Sequence, residues 1–301
     1  MPGHVGFIGL GHMGLPMAGN LGKAGHTVHV FDKSSQAMEQ AAKIPGAKLA
    51  ASAAEAATKA EVLFTALPNN EIVKAVYLGG EGIASGGGKG LITCDCSTVS
   101  PEVTRELHAS LAKKGISHMD TTMLGSTPQA KDGQIFFIVG GDKANLPRIA
   151  PYLQAMGKAH HHVGGPSASN SVKLMHNVLA AINAKAVSEA LAVCLKSGIP
   201  LEDFYHVVVN GGGQGYSTYF NSRVMRMQSG NFDATFTLEL MNKDVNLAVA
   251  IAEGLGGPTD VMKATQKAYN EAVKNPEWAK QDLSAVTHLM EKQIGKTVKG
   301  G

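Results

Sequence analysis

The chain is 301 residues long, 44% hydrophobic, 17% charged and 5% aromatic, with 36 glycines and a net charge of +3. That length suggests two domains or one large α/β unit, the apolar content excludes intrinsic disorder, and weak, scattered positive charge argues against nucleic acid as the main partner. Cys94, Cys96 and Cys194 make no disulfide framework; no basic-then-apolar leader opens the chain and no apolar run approaches the roughly 18 residues of a membrane span, so it reads as soluble and cytoplasmic.

His4–Ile8 is a short apolar strand, Leu15–Lys23 a helix and Thr27–Phe31 a second strand. Strands follow at Glu61–Leu67 and Gly90–Asp95, where Cys94 and Cys96 share a face at period two as buried free thiols. Helices are expected at Asn70–Tyr77 and Pro101–Lys113, with Gly86–Gly88 a flexible loop. Strands at Gln134–Val139 and His160–Val163 then flank a helix at Asn145–Met156. Strands alternating with helices of 10–15 residues mean βαβ units and a parallel sheet covered on both faces.

The character changes after Gly164. One long helical pattern runs from Ser169 to about Lys196 and ends at Gly198 and Pro200. Helical patterns continue at Leu201–Val209, Phe220–Gln228, Leu238–Glu253, Asp260–Val273 and Asp282–Lys292. The expected architecture is α/β: an N-terminal dinucleotide-binding (Rossmann) domain, 1–164, then an all-α domain, 165–301, joined by the long helix.

Gly9-Leu10-Gly11-His12-Met13-Gly14 fits G-x-G-x-x-G. A chain this rich in glycine gives roughly half such a match by chance, so the context decides. The match directly follows a strand and opens a helix, and Asp32 ends the next strand 23 residues after Gly9. Gly9 permits the tight turn, Gly11 lets backbone approach a pyrophosphate, and Gly14 lets helix pack on strand, with the helix N-terminus facing the phosphates. Asp32 accepts hydrogen bonds from ribose hydroxyls and repels a 2′-phosphate. NAD is therefore expected over NADP, although Lys33 and Ser34 partly offset that preference. His12 reads as a surface residue near phosphate.

On the long helix Ser169, Asn170, Lys173, His176 and Asn177 recur at three- and four-residue spacing as one polar stripe. Such a stripe also suits a plain solvated face. A lysine beside a cationic nicotinamide, however, has its pKa lowered by like charge and desolvation, as a general base at neutral pH requires. Asn177, one turn on, is placed to hydrogen-bond substrate or lysine.

With these motifs in view, Gly9–Gly14 followed by Leu15-Pro-Met-Ala-Gly-Asn-Leu21 resembles the cofactor fingerprint of the β-hydroxyacid (3-hydroxyisobutyrate) dehydrogenase family. Leu67-Pro68, Asp95-Cys-Ser-Thr98, Lys173-Leu-Met-His-Asn177 and Phe236 through Lys243-Asp244 follow in the family's order, and Asp120 opens its substrate-loop segment. The resemblance implies Lys173 as catalytic acid/base and Asn177 in substrate binding. It also implies cofactor contacts from Leu67, Pro68, Thr98, Phe236 and Lys243, with Asp244 supporting the site; Met241 and Leu247 read as core. Implied substrates are small 3-hydroxy acids or semialdehydes: 3-hydroxyisobutyrate, tartronate semialdehyde, succinic semialdehyde/4-hydroxybutyrate or a serine-like acid. A homodimer or homotetramer built on the long helices is implied too, with no membrane partner.

The departures cluster at the substrate. The family loop Asp-x-Pro-Val-Ser-Gly-Gly is here Asp120-Thr-Thr-Met-Leu-Gly-Ser126. Leu124 thus replaces the serine that binds the substrate carboxylate, leaving the Gly125 N–H, with Ser126 and Thr127 as stand-ins. Ser167 and Ser169 replace glycines before the long helix, and His176 replaces the first asparagine of a pair. Resemblance to the sulfolactaldehyde reductases of the family would bring an arginine where Gly125 stands, which weakens a sulfonate substrate. The competing readings are an imine reductase and a non-catalytic NAD-binding interaction module. Intact Lys173 argues against both.

His160-His161-His162 lacks an acidic or thiol ligand at the right spacing, so no metal is expected. Gly211–Gly215 reads as a mobile loop, for which the resemblance implies a lid over the substrate as the alternative to a plain helix connection, and Trp278 reads as packing.

Overall fold

The computed structural model describes residues 3–301. Its residues group into two compact units, one ending at Lys173 and the other beginning at Leu174. The division falls inside a single helix, Ala168–Lys196, rather than at the loop before it.

The first unit holds one sheet of nine strands: β1 His4–Ile8, β2 Thr27–Phe31, β3 Ala47–Leu49, β4 Val62–Thr65, β5 Ile92–Asp95, β6 Ser117–Asp120, β7 Met123–Leu124, β8 Ile135–Gly140 and β9 Gly157–Gly164. Their order is β3-β2-β1-β4-β5-β6-β8-β7, with β9 also pairing β8. From β3 through β6 every pairing is parallel, whereas β8 runs antiparallel to β6 and β7. Successive residues of one strand enter opposite cores. Phe7 and Phe64 join Met17, Leu21 and Tyr152 on one face, while Ile8 and Leu63 join Val73, Tyr77 and Leu107 on the other. A strand buried on both faces has no alternation, which explains the continuous apolar runs.

Cys94 and Cys96 are buried, unbridged and in one core cluster, as their spacing indicates. Three strands, β3, β6 and β7, lie outside the sequence-based pattern. β3 is a three-residue edge strand with two exposed residues. β6 reads Ser-His-Met-Asp, and its His118 and Asp120 are almost wholly buried, so polarity masks a central strand. Gly86 departs from the expected flexible loop. It closes a short helix, Ile83–Gly86, packed so tightly on helix Ala53–Lys59 that a Cβ there would run into the Ala54 carbonyl.

The second unit is helical. Leu238, Met241 and Val245 pack with Ala181, Ala184, Tyr269 and Val286, and a second cluster gathers Leu191, Phe220, Val224 and Met227. Phe236 and Trp278 flank the first of these clusters, and Leu247 a third formed by Leu174, Val178 and Ala248, all as half-buried packing residues. Asp282, wholly buried, accepts from Arg223 Nε at 2.9 Å and from the Ser284 hydroxyl at 2.9 Å, so the buried charge is paired. The long helix corrects one expectation. With 29 residues and a hydropathy of 1.7 it is long and apolar enough to cross a membrane by length and composition. Scattered polar residues broke the run in the sequence, and its Ala181, Ala184 and Leu191 instead fill the helical unit's cores.

Candidate active site

The glycine turn is built as a phosphate cradle. Gly9 has φ +89°, and a Cβ on Gly14 would strike the Gly9 carbonyl, so both positions demand glycine. A Cβ on Gly11 would meet nothing within 4 Å, which leaves the backbone open to a ligand. Helix Gly14–Lys23 starts there, and the N–H groups of His12, Met13 and Gly14 donate to no protein acceptor among the described residues. Unused helix N-terminal N–H groups over bare backbone fit a pyrophosphate. A groove of about 460 Å³ runs over this turn, lined by Leu10, Gly11 and His12 and by Ser34 and Lys131. Asp32 stands beside it. Its Oδ2 accepts from the Leu10 N–H at 2.7 Å and its Oδ1 from the Ser34 N–H at 2.8 Å, so the carboxylate is held by the backbone.

The C-terminal ends of β4, β5 and β6 stand in register as Thr65, Asp95 and Asp120. Asp95 is buried, and its Oδ1 accepts from Thr65 Oγ1 at 2.7 Å, from the Ser97 N–H at 3.0 Å and from Ser97 Oγ at 2.5 Å. Because Thr65 gives its proton to Asp95, its 2.9 Å contact with the Tyr77 hydroxyl is donated by tyrosine. Ser97 Oγ in turn accepts from the Leu67 N–H at 2.9 Å. One carboxylate therefore joins the Leu67-Pro68 turn to the Ser97-Thr98 turn. Burial pushes the Asp95 carboxyl up to about 6, against the pull of its hydrogen bonds. The signal for Asp95 was present in the sequence: like Asp32, it is an acid ending an apolar strand.

Asp120 holds the start of the long helix. Its Oδ1 and Oδ2 accept from the Ser167 and Asn170 N–H groups, each at 3.1 Å, at the positive end of the helix. Burial still raises its carboxyl above the ordinary range. Ser167 adopts φ +71°, the backbone conformation a glycine reaches without strain. Ser169 Oγ donates to the Ile138 carbonyl at 2.7 Å and accepts from the Thr122 N–H at 3.0 Å. The polar stripe therefore divides. Ser169 and Asn170 are wholly buried anchors, whereas Lys173 is half-buried and His176 exposed.

In the loop after Asp120, Leu124 pairs with Phe136 of β8. Gly125 has φ +139°, and a Cβ there would lie 2.8 Å from Ile135 Cδ1, so any side chain is disfavoured. Ser126 is not a free stand-in for the missing serine. Its N–H and hydroxyl both donate to Gln129 Oε1, at 3.0 and 2.6 Å, starting helix Thr127–Lys131.

In the helical unit Asn177, nearly buried, donates from Nδ2 to Asp244 Oδ2 at 2.6 Å and accepts from His176 Nδ1 at 3.1 Å. Lys243 Nζ lies 3.1 Å from Asp244 Oδ1. Phe236 packs on the neighbouring core, and Gly211–Gly215 forms an exposed loop with Gly212 and Gly213 at positive φ.

A family model described as the NAD binding domain of 6-phosphogluconate dehydrogenase matches residues 4–165. One described as NAD-binding of NADP-dependent 3-hydroxyisobutyrate dehydrogenase matches residues 167–290. The chain is 33% identical to the 2-(hydroxymethyl)glutarate dehydrogenase of Eubacterium barkeri, over 99% of this chain and 98% of that one. It is also 33% identical to the 3-sulfolactaldehyde reductase of Escherichia coli, over 98% of each chain. The solved 3-hydroxyisobutyrate dehydrogenase of Mycobacterium tuberculosis with L-serine matches with a TM-score of 0.88 at 28% identity, over 96% of this chain and 99% of that one.

Proposed function

The chain belongs to the 3-hydroxyisobutyrate dehydrogenase family, and from that premise we propose that it oxidises a small 3-hydroxy acid to its semialdehyde, or the reverse, with NAD as cofactor and Lys173 as general acid/base. The observation that carries this reading is the position of Lys173. It lies one turn beyond Asn170, whose side chain accepts from the Val99 N–H at 3.0 Å, next to Thr98. The glycine turn, Leu67, Pro68 and Thr98 hold the dinucleotide. When bound, the nicotinamide ring supplies the hydride acceptor or donor. Lys173 takes the hydroxyl proton as the alcohol is oxidised and returns it on reduction. The Gly125 N–H, left clear of side chains, binds the substrate carboxylate, and Asn177 orients the same end of the substrate.

The semialdehyde reductases of the family supply the second reading, including reduction of a sulfonate aldehyde. Gly125 disfavours the sulfonate: its φ of +139° strains any side chain there, including the cationic one a sulfonate calls for. Turnover across a panel of 3-hydroxy acids and semialdehydes, with NAD and NADP in parallel, tests the proposal. A carboxylate substrate should lead and sulfolactaldehyde should trail; the opposite order refutes the substrate assignment.

Asp32 sets the cofactor preference. Held by two backbone N–H groups, its carboxylate cannot swing away from a 2′-phosphate. We expect Asp32→Ser to shift the NADP-to-NAD ratio of kcat/KM upward by about tenfold or more, the effect of removing roughly 1.4 kcal/mol of repulsion. An unchanged ratio places the discrimination elsewhere.

Assembly into a homodimer or homotetramer forms part of the proposal. Val172, Leu179 and Val193 are 43%, 62% and 65% exposed and lie on one side of the long helix, seven and fourteen residues apart. A second copy covers such a stripe most simply. Leu179→Glu should lower the mass measured by light scattering toward the 31.3 kDa of one chain; an unchanged oligomer rules this face out.

A further inference from the structure

Asn170 is fully buried and uses both ends of its amide. Its N–H donates to Asp120 Oδ2 at 3.1 Å, its Oδ1 accepts from the Val99 N–H at 3.0 Å, and its Nδ2 donates to Thr104 Oγ1 at 3.1 Å. The three bonds run to three separate elements: the end of β6, the loop after β5 and helix Pro101–Ala112. Sliding or rotating the first turn of the long helix must break at least one of them.

Ser169 and Ser167 also tie this turn down, through Thr122, Ile138 and Arg105. Asn170 adds the bond to the loop that carries Thr98. Lys173 lies three residues further along, on the same side of the helix and about 4.5 Å along its axis. A single amide therefore connects the Thr98 loop to the turn bearing Lys173.

We propose that Asn170 is a positioning residue for the reaction, fixing the first turns of the long helix against the Thr98 loop so that Lys173 meets the substrate hydroxyl in register. The inference rests on the reading of Lys173 as acid/base. Asn170 touches no substrate; it acts through the lysine. A misplacement of about 1 Å at a reacting group costs on the order of 100-fold in rate, so the anchor matters to chemistry as well as to folding.

Two variants and a control separate these roles. Asn170→Ala should lower kcat by about 10- to 100-fold while the NADH dissociation constant, read by fluorescence, moves less than about threefold. Asn170→Asp keeps the shape, and its carboxylate still accepts from Val99 and from the Thr104 hydroxyl. It should recover most of kcat. The charged groups at this turn are Asp120 on β6, Asp95 on β5, Arg105 on helix Pro101–Ala112, and Lys173 itself. A new carboxylate among them favours protonated Lys173, so the limb of the kcat–pH profile set by the lysine, the acidic one in oxidation and the basic one in reduction, should move to higher pH. A merely structural asparagine predicts a lower melting temperature with an unchanged profile.

A folded Asn170→Ala enzyme with kcat within about threefold of the parent overturns the proposal, as does an Asp variant no better than Ala. Should Asn170→Ala fail to fold, Thr104→Val removes one of the three bonds and should still cost kcat severalfold; unchanged kcat there is equally fatal. Lys173→Ala is the control for the underlying reading. If it turns over normally, the assignment of the lysine fails. If it is inactive while Asn170→Ala is normal, only the positioning role fails.

Discussion

Lys173→Ala should lower kcat by about 10²- to 10⁴-fold, the range a positioned proton-transfer group contributes, while dinucleotide affinity stays within about threefold. The cradle at Gly9–Gly14 and the Asp32 carboxylate lie on other elements of the fold and are untouched by the change. Lys173→Arg should fare little better than alanine, because a guanidinium stays protonated across the working pH and cannot accept the substrate proton. Arginine rescue would show that position 173 supplies only positive charge. Steady-state kinetics with a dinucleotide titration on each variant distinguishes the two roles.

The largest expected effect on stability belongs to His118. This imidazole is buried on β6 beneath Tyr77, and Thr93 Oγ1 lies 2.9 Å from its Nδ1. Thr93 gives its own proton to the Ser117 carbonyl, so His118 is the donor and its Nε2 keeps a lone pair with no partner among the described residues. Burial, aided by His108, pushes its pKa down to about 3. The unfolded chain therefore binds a proton that the folded chain refuses between pH 6.5 and about 3, and stability falls as the solution is acidified through that window. The shift corresponds to about 5 kcal/mol in all.

Asp95 works in the opposite direction. With its pKa raised to about 6, the folded chain holds a proton that the unfolded chain has lost, and stability falls as pH rises from 3.8 to about 6. The two slopes nearly cancel between about pH 4 and pH 6 in the intact protein. His118→Asn, which keeps a donor toward Thr93, should leave Asp95 unopposed, with a variant whose stability drops by about 3 kcal/mol across that interval relative to the parent. Asp95→Asn should show the reverse slope. Urea unfolding at several pH values reads both; a pH-independent difference from the parent for either variant contradicts the assignment.

The site was legible in the sequence where local geometry and chemistry coincide. Gly9, Gly14 and Asp32 could be read because strand, turn and helix follow one another directly, and that context, rather than the spacing alone, fixes where each must stand. The same was true of Lys173 and Asn177 on one helix. Periodicity identifies which residues share a side of a helix but not what covers that side. Ser169 and Asn170 shared the stripe with Lys173, yet long-range bonds to Thr122, Val99 and Thr104 turn them into anchors. Ser126 was open by sequence and is engaged by Gln129 because a short helix starts there. β6 was illegible for a different reason. Its buried His118 and Asp120 remove the apolar signal, and only the fold supplies the partners that make their burial tolerable. Gly86 looked like slack and is a close helix contact, since nothing nearby in the chain announces the Ala54 carbonyl.

In the proposed reaction hydride passes between a 3-hydroxy acid and the dinucleotide while Lys173 moves the proton. Its most direct test is to incubate the enzyme with NAD and 3-hydroxyisobutyrate carrying deuterium on the carbinol carbon, then follow the label by NMR. Deuterium should appear at C4 of the reduced nicotinamide with the parent, and far more slowly with Lys173→Ala. Dinucleotide that binds but is never reduced by any 3-hydroxy acid or related alcohol of the panel, with no semialdehyde reduced in reverse, would contradict it.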